Sequence, residues 1–336
     1  MVGGAGYIGS HMAQDLLRAG YEVVVLDNLC RGHRELVPGG TFIEGDLGDS
    51  VLLDQIFSRH SITAVMHFAA FSLVGESVEK PLIYYRNNVS RTIELLDAMI
   101  RHRVNYFIFS STAAVYGEPV KVPISEDHPH VPTNPYGATK LAVERLLVDC
   151  AQGSDLKYIA LRYFNAAGAD ASGKLGERHE PETHLIPLVL QVATGEREII
   201  RIFGTDYPTP DGTCIRDYVH VSDLTHAHLL ALESLLRGGD SAAYNLGSSK
   251  GHSVRNVIEI ARRVTGHTIP ETVSGRRAGD PAVLIADSEK IRRELGWKPR
   301  YEDLETIIET AWNWHKQEPG RKATSRREVD STTSPP

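Results

Sequence analysis

The first half of the chain alternates short runs of consecutive apolar residues with longer amphipathic stretches. The apolar runs predict five strands, at residues 23–26, 41–43, 64–68, 106–109 and 158–161. Continuous apolar runs are typical of parallel strands that are buried on both faces. The amphipathic stretches predict helices at residues 10–18, 52–59, 88–101 and 136–150. This order predicts an α/β fold with a Rossmann-like, doubly wound parallel sheet.

The second half has a different texture, because prolines and glycine turns divide it into shorter pieces. A strand edge is still predicted at residues 244–247, so part of this half is expected to return to the sheet. The sequence predicts a sheet domain over 1–165 with later returns near 214–247, a smaller α/β substrate-binding domain over 166–316, and a disordered tail over 317–336.

Composition excludes several classes of protein. The 43 acidic and 36 basic residues give a net charge of −7, which argues against a nucleic-acid-binding surface. Three cysteines without short spacing fit neither a disulfide framework nor a Cys-x-x-Cys metal site, and they favour a reducing compartment. No apolar run reaches the roughly 20 residues that cross a bilayer. We therefore expect a soluble cytoplasmic protein with no membrane partner.

A glycine cluster opens the first predicted helix. Residues 3–9 satisfy both G-x-x-G-x-x-G and G-x-G-x-x-G, and such glycines let the backbone approach a pyrophosphate at a helix N-terminus. Alone, the pattern fits a glycine-rich linker equally well. Asp27 changes this, because it ends the next strand 18 residues after Gly9, where a carboxylate accepts hydrogen bonds from ribose hydroxyls. The same carboxylate repels a 2′-phosphate, so the pair favours NAD over NADP.

A second group of residues could carry acid–base chemistry. The predicted strand at 106–109 runs into a Ser-Ser-Thr sequence ending at Thr112, and Tyr136 and Lys140 follow four residues apart on one helix face. An ammonium group beside a phenol is expected to lower the phenol pKa towards neutrality. Such a tyrosine can take a proton from a sugar hydroxyl while hydride leaves the same carbon. The pattern Tyr-x-x-x-Lys alone is common by chance. Because it follows the glycine loop and Asp27 in this chain, a catalytic role is favoured over that of an ordinary half-buried helix tyrosine.

These motifs resemble the extended short-chain dehydrogenase/reductase family, in particular its members that epimerise UDP-sugars at C4. The match extends nearly to Lys316. The further segments that carry it are Gly45-Asp46-Leu47, His67-Phe68-Ala69-Ala70, Val74-Gly75-Glu76-Ser77, Asn87-Asn88-Val89, Pro135-Tyr136-Gly137, Arg162-Tyr163-Phe164-Asn165, residues 202–207, residues 216–221 and residues 276–280.

The resemblance implies reversible epimerisation of a UDP-hexose, such as UDP-glucose or UDP-galactose, through a 4-keto intermediate with transient NAD reduction. It also implies a homodimer formed through the helices at 88–101 and 136–150. The implied catalytic residues are Thr112, Tyr136 and Lys140. The implied NAD-binding residues are Gly3, Gly6, Tyr7, Ile8, Gly9, Asp27, Asn28, Asp46, Leu47, Phe68, Ala69, Ala70, Asn87, Lys140 and Phe164. The implied substrate-binding residues, besides Thr112 and Tyr136, are Asn165, His184, Leu185, Phe203, Arg216, Arg277 and Asp280.

Several alternatives stay open or are disfavoured on chemistry. A sugar-nucleotide 4,6-dehydratase needs an acidic pair after the threonine, where this chain has Ala113 and Ala114. An epimerase for a UDP-pentose, UDP-uronate or UDP-N-acetylhexosamine remains open, and Leu284 is ambiguous because related glucose-restricted enzymes often have a tyrosine there. A non-catalytic NAD-binding relative is the alternative from another class, although such proteins usually lose the tyrosine or the lysine.

Two further expectations concern a metal and the start of the chain. His179 and His184 flank Glu180, Pro181 and Glu182, which raises the question of a metal site. Pro181 argues against the continuous helix that places two histidines on one metal, so no metal is predicted. Relatives place an apolar strand directly before the first glycine, and only Met1 and Val2 stand there in this chain. The first strand is therefore expected to be truncated, with the true start several residues upstream, and a truncated protein is expected to be impaired.

Overall fold

The computed structural model describes residues 1–277 and 279–317. The strands are β1 (Val24–Asp27), β2 (Thr41–Glu44), β3 (Ala64–His67), β4 (Tyr106–Thr112), β5 (Lys157–Tyr163), β6 (Asn165–Ala167), β7 (Ile200–Phe203), β8 (Ile215–His220), β9 (Ala242–Leu246), β10 (Gly251–Ser253), β11 (Glu271–Ser274) and β12 (Val283–Leu284). The helices are α1 (Tyr7–Arg18), α2 (Ser50–Arg59), α3 (Val74–Glu79), α4 (Pro81–Tyr84), α5 (Arg91–Arg101), α6 (Pro135–Gly153), α7 (Leu185–Ala193), α8 (Val221–Leu236), α9 (Val254–Thr265), α10 (Glu289–Leu295) and α11 (Leu304–Gln317).

The main sheet is parallel and contains all five strands predicted in the first half. β2 pairs with β1, and β3, β4, β5 and β9 follow one another in a second hydrogen-bonded run. Val2 joins the two runs, because it bridges Leu26 on one side and His67 on the other. The N–H of Val2 donates to the carbonyl of Met66 at 3.0 Å, and the N–H of Leu26 donates to the carbonyl of Met1 at 2.8 Å. The two residues before the glycine cluster therefore occupy the centre of the sheet.

Helices cover both faces of this sheet. Apolar side chains of α1 and α8 pack with the strands on one face, and those of α2, α5 and α6 pack on the other. The fold is thus the predicted Rossmann-like, doubly wound α/β fold. The predicted helix at 88–101 differs at its start, because residues 85–90 form a π-helical turn and the α-helix begins at Arg91.

A smaller region packs beside the end of the main sheet. β8 pairs with β6, β10 and β12, and β7 pairs with β11. Helices α7, α9 and α11 bury a separate apolar core against these strands. Because β6 begins two residues after β5 ends, the chain passes directly from the main sheet into the smaller region.

The predicted division after residue 165 falls within β6, directly after that short connection. α8, β9 and α10 pack into the core of the main sheet although they come later in the chain. The assignment of the two domains to cofactor and substrate stays a prediction. In the described ranges 1–277 and 279–317, no helix combines the length and apolar character required to traverse a lipid bilayer. The predicted disordered tail lies outside the described residues from residue 318 onwards.

Candidate functional site

The candidate site lies where the parallel strands of the main sheet end. β1 ends at Asp27, β3 is followed by Phe68, β4 ends at Thr112 and β5 is followed by Phe164. The carboxyl ends of parallel strands meet at one edge of a sheet, which is where doubly wound folds bind ligands. A cavity of about 390 Å³ lies at this edge, and all four of these residues line it.

The glycine loop forms one wall of the cavity and leads directly into α1. Gly3 has a φ of +76°, and a Cβ on Gly9 would come within 2.1 Å of the carbonyl oxygen of Gly3. Only glycine fits this turn. Gly6, the residue before α1, makes no side-chain cap, so the first N–H groups of the helix remain available to an anion.

Asp27 holds the glycine loop through one carboxylate oxygen. Its Oδ2 accepts a hydrogen bond from the N–H of Ala5 at 2.9 Å, and its Oδ1 accepts one from the N–H of Leu29 at 2.9 Å. The side chain is buried, and it also lines the cavity. The residue predicted to read the ribose therefore also fixes the loop that is expected to hold the pyrophosphate.

A polar network lies beyond Asp27 in the same cavity. The side-chain amide of Asn28 donates to Asp46 at 2.8 Å, and Arg91 pairs with the other oxygen of Asp46 at 2.9 Å. Arg91 also donates to the Oδ1 of Asn87 at 2.7 Å. All four residues line the cavity. Arg91 is missing from the sequence-based set, although its position four residues after Asn87 on a helical segment was a usable signal.

The structure brings every predicted NAD-binding residue to this one cavity. They come from the glycine loop, from the ends of β1, β2 and β3, from the π-helical turn, from α6 and from the end of β5. The lining includes Gly3, Gly6, Tyr7, Ile8, Gly9, Asp27, Asn28, Asp46, Leu47, Phe68, Ala69, Ala70, Asn87, Lys140 and Phe164. Tyr7 has a structural contact as well, because its hydroxyl donates to the carbonyl of Gly168 at 2.6 Å.

The three predicted catalytic residues are buried together at the middle of the cavity. Thr112, Tyr136 and Lys140 are 8%, 9% and 3% exposed, respectively, and all three line the cavity. Asn134 caps α6 by accepting a hydrogen bond from the N–H of Gly137 at 2.9 Å, which fixes the first turn of the helix that carries Tyr136. The Nζ of Lys140 donates to the carbonyl of Ser110 at 2.7 Å.

The electrostatics of this group differ from the sequence-based expectation. Burial raises the pKa of Tyr136, and only the hydrogen bond with Thr112 opposes that rise. Burial also lowers the pKa of Lys140 to about 7, although the nearby Glu144 carboxylate opposes the change. The expected lowering of the tyrosine pKa is therefore not produced by the chain's own groups, because burial disfavours the phenolate and only Thr112 opposes it.

The predicted substrate-binding residues fall into two sets. Asn165 and His184 line the cavity, together with Thr112 and Tyr136. The remaining five lie in the smaller region and not on the cavity lining. Arg216 pairs with Asp280 at 2.6 Å, and the guanidinium of Arg277 lies 3.9 Å from the ring centre of Phe203. Leu185, the fifth, begins α7 and packs against the core of the smaller region.

A histidine–glutamate cluster closes one side of the cavity. We use this name for Glu177, His179, Glu182 and His184, whose potential ligand atoms all lie within 4.8 Å of one another. Both glutamate side chains are only 6% exposed. Sequence reasoning considered His179, Glu182 and His184 for a metal but missed Glu177, and it rejected the site because it considered only a continuous helix through Pro181.

Comparisons with known proteins agree with this geometry. The NAD dependent epimerase/dehydratase family matches residues 1–247. A UDP-glucose 4-epimerase of Halalkalibacterium halodurans is 56% identical over 98% of this chain and 98% of its own length. A crystal structure of the Brucella ovis UDP-glucose 4-epimerase in complex with NAD has a TM-score of 0.91 at 50% identity, covering 93% of this chain and 96% of that one. The Campylobacter jejuni UDP-Glc/GlcNAc 4-epimerase structure has a TM-score of 0.83 at 44% identity, covering 94% of this chain and 98% of that one.

Proposed function

The chain belongs to the NAD dependent epimerase/dehydratase family, and from this premise we propose that it interconverts UDP-glucose and UDP-galactose by inverting C4 of the hexose. Relatives at 50–56% identity over nearly the whole chain are UDP-glucose 4-epimerases. One observation carries the proposal. Thr112, Tyr136 and Lys140 are buried together on the wall of the same cavity that the glycine loop lines.

NAD fits the residues that are present. The turn at Gly3 and Gly9 leaves no room for a side chain, and the uncapped start of α1 offers N–H groups to a pyrophosphate. Asp27 presents a buried carboxylate beside this turn, which suits a ribose diol and disfavours a 2′-phosphate. When bound, NAD supplies the acceptor and donor of the hydride at C4 and, in its oxidised form, a positive charge.

Tyr136 is the residue we assign to proton transfer. Its phenol oxygen takes the proton of the C4 hydroxyl as the sugar is oxidised, and returns it when the 4-keto sugar is reduced on its other face. Thr112 holds the phenol by the hydrogen bond that opposes the rise in its pKa. Lys140 is held by its hydrogen bond to the carbonyl of Ser110, so its amine stays at one place on the cavity wall in either protonation state. Burial favours the protonated phenol, and the positive charge of oxidised NAD, when bound, would favour the phenolate that accepts the proton.

Replacing Tyr136 with Phe tests the assignment. We expect kcat for UDP-galactose to fall by about 10²–10⁴-fold, the usual contribution of a positioned acid–base group. The bound NAD, released by denaturation and measured by absorbance, should remain at the wild-type amount. Tyr21→Phe is the matched control, because Tyr21 is a partly buried tyrosine that does not line the cavity. Wild-type turnover in Tyr136→Phe would overturn the proposal.

The range of UDP-sugars is tested separately. Leu284 packs with Phe164 against the apolar cluster around Val115 and Tyr116, next to the cavity. A leucine fills less space than a tyrosine, which favours a second activity on N-acetylated hexoses, as in the UDP-Glc/GlcNAc enzyme of Campylobacter jejuni. Purified protein incubated with UDP-galactose, UDP-N-acetylgalactosamine or a UDP-pentose should turn over the first fastest and the second measurably. No turnover of the N-acetylated sugar would remove the second activity alone.

A homodimer through α5 and α6 is part of the proposal. α5 exposes Ile93 (46%) and Ile100 (41%), and α6 exposes Val148 (42%). Light scattering after gel filtration should give twice the chain mass, and Ile93→Asp should shift it to the monomer. Val51→Asp is the control, since Val51 is 64% exposed on α2. A wild-type monomer would contradict the dimer without affecting the epimerase assignment.

We infer a role in galactose metabolism from the proposed activity on UDP-galactose. We infer a cytoplasmic setting from the cysteines. Cys30, Cys150 and Cys214 are all free thiols. Free thiols without a disulfide partner fit a reducing compartment.

A further inference from the structure

The histidine–glutamate cluster has the composition of a transition-metal site. Imidazole nitrogens and carboxylate oxygens are both ligands that Zn²⁺ accepts. The protein supplies four potential donor atoms, which is the number that a closed, structural zinc site uses. No part of the proposed epimerase chemistry requires a metal, so an ion bound here would have a structural purpose.

The nitrogen–oxygen distances within the cluster are close to those between ligands of a tetrahedral ion. Glu177 Oε1 lies 3.1 Å from His179 Nδ1 and 2.8 Å from His184 Nδ1. Glu182 lies 2.9 Å from His184 Nδ1 and 3.6 Å from His179 Nδ1. Metal–ligand bonds of about 2.0–2.1 Å place tetrahedral ligands roughly 3.3 Å apart. These four distances run from 2.8 to 3.6 Å and every ligand atom lies within 4.8 Å of the others, so side-chain movements would bring the four atoms around one ion.

One contact in the cluster is poorly explained without a further partner. His179 Nδ1 is buried and, among the described residues, has no well-aligned hydrogen bond, although a carboxylate oxygen is 3.1 Å away. A nitrogen and an oxygen at that distance and alignment can both face a common cation.

The surroundings of the cluster also favour a metal. Glu182 Oε1 accepts hydrogen bonds from the N–H groups of Thr183 at 2.7 Å and His184 at 2.8 Å, which orient the carboxylate as outer-shell contacts orient metal ligands. The side chain of His184 is 39% exposed and that of His179 is 26% exposed. An ion therefore has a path of entry from solvent.

We propose that the histidine–glutamate cluster binds one divalent transition-metal ion, with Zn²⁺ as the favoured occupant, and that the ion fixes the wall of the cavity formed by residues 177–184. Arg31 donates to the carbonyl of Glu180 at 2.6 Å, and His33 contacts the carbonyl of Arg178 at 3.2 Å, so this segment already lies against the loop after β1. The metal would join the two ends of the segment 177–184, directly before the start of α7.

The experiment measures metal in the NAD-containing protein, purified without a histidine tag. Elemental analysis should find one zinc per chain after growth with zinc. Chelator-treated protein reloaded with Co²⁺ should show the intense visible absorption of tetrahedral cobalt at one equivalent. His179→Gln and Glu182→Gln should each weaken metal affinity by more than about 100-fold, because even outer-shell changes cost 10–100-fold.

His33→Gln is the matched control, since it alters a contact to the same segment without removing a proposed ligand, and it should keep wild-type metal content. Circular dichroism and NAD content establish that each variant is folded. Wild-type protein without stoichiometric zinc and without the cobalt spectrum would overturn the proposal, whatever the variants do. Metal retained equally by both ligand variants would overturn it too, since the ion would then lie elsewhere. Neither outcome depends on epimerase activity.

Discussion

At the scale of single residues, the most consequential contact behind the site is a buried ion pair. Arg162 of β5 lies 2.6 Å from the carboxylate of Glu144 on α6, and both side chains are less than a tenth exposed. The guanidinium also donates to the hydroxyl of Tyr116 at 2.9 Å. Glu144 is on the helix that carries Tyr136 and Lys140, so the pair fixes that helix to the strand beneath it.

Removing one partner of this pair should be more damaging than removing both. Glu144→Ala leaves the Arg162 charge buried and unpaired, and we expect the free energy of unfolding to fall by about 3–5 kcal/mol. The double variant Glu144→Leu/Arg162→Met should recover part of that loss, because no buried charge remains. Urea denaturation followed by circular dichroism measures both. A single variant within about 0.5 kcal/mol of wild type would contradict a stabilising role for the pair.

At the same scale, sequence reasoning predicted the residues that motifs define and missed those that tertiary contacts define. Asp27, Tyr136 and Lys140 could be found because their chemistry and spacing are local. Arg91 was missed because its partner Asp46 is distant in the sequence, and Glu177 was missed because the turn around Pro181 brings it to His184. The direction of the Tyr136 pKa depends on burial, which no local pattern measures.

At the scale of elements, the first turn of α6 positions the reacting phenol. Asn134 caps this turn, and Pro135 is its first residue. A Cβ on Gly137 would come within 2.4 Å of the carbonyl oxygen of Ala114. The helix start is therefore held both by a hydrogen bond and by close packing.

Loss of the cap should reduce stability and turnover together. Asn134→Ala should lower the free energy of unfolding by about 1 kcal/mol, the usual value for an N-cap, and should lower kcat because Tyr136 is two residues away. In Asn134→Asp the carboxylate can accept the same hydrogen bond, so this variant should keep the wild-type free energy of unfolding and the wild-type kcat. Thermal unfolding and steady-state kinetics on the three proteins provide the comparison. Equal kcat in all three would show that the cap has no part in placing the phenol.

The strands of the first half were predictable as elements because each is apolar on both faces. Their ends moved by only a few residues between prediction and structure, as for β4, which continues to Thr112. The second half was harder, because its short strands pair across long stretches of sequence. β8, for example, pairs with β6, β10 and β12, and no periodicity encodes those partners.

At the scale of the whole molecule, buried neutral histidines set the response to acid. Burial lowers the pKa of His67 and of His220 to about 3, and that of His228 to about 4. Between the ordinary value of 6.5 and these values, the unfolded chain binds protons that the folded chain does not. The free energy of unfolding therefore falls as the pH falls through that interval.

We expect each of these histidines to contribute up to about 1.4 kcal/mol per pH unit to that fall. Unfolding measured in urea between pH 7 and pH 4 should show the slope. His228→Gln should reduce it, because glutamine does not titrate there, whereas His60→Gln, at a partly exposed helix end, serves as the control. Stability that is constant over this interval would contradict the assignment of neutral buried histidines.

The direct passage from β5 into β6 limits which fragments of the chain can be expressed separately. A fragment ending near residue 165 would lack β9, which pairs with β5, and would lack α8, whose side chains cover the same sheet. Ile159 and Leu161 would then lie on an edge strand with unpaired backbone N–H and C=O groups, which can pair with strands of other chains. Expressed alone, such a fragment should aggregate, and co-expression with the remaining segment should be needed to keep it in solution.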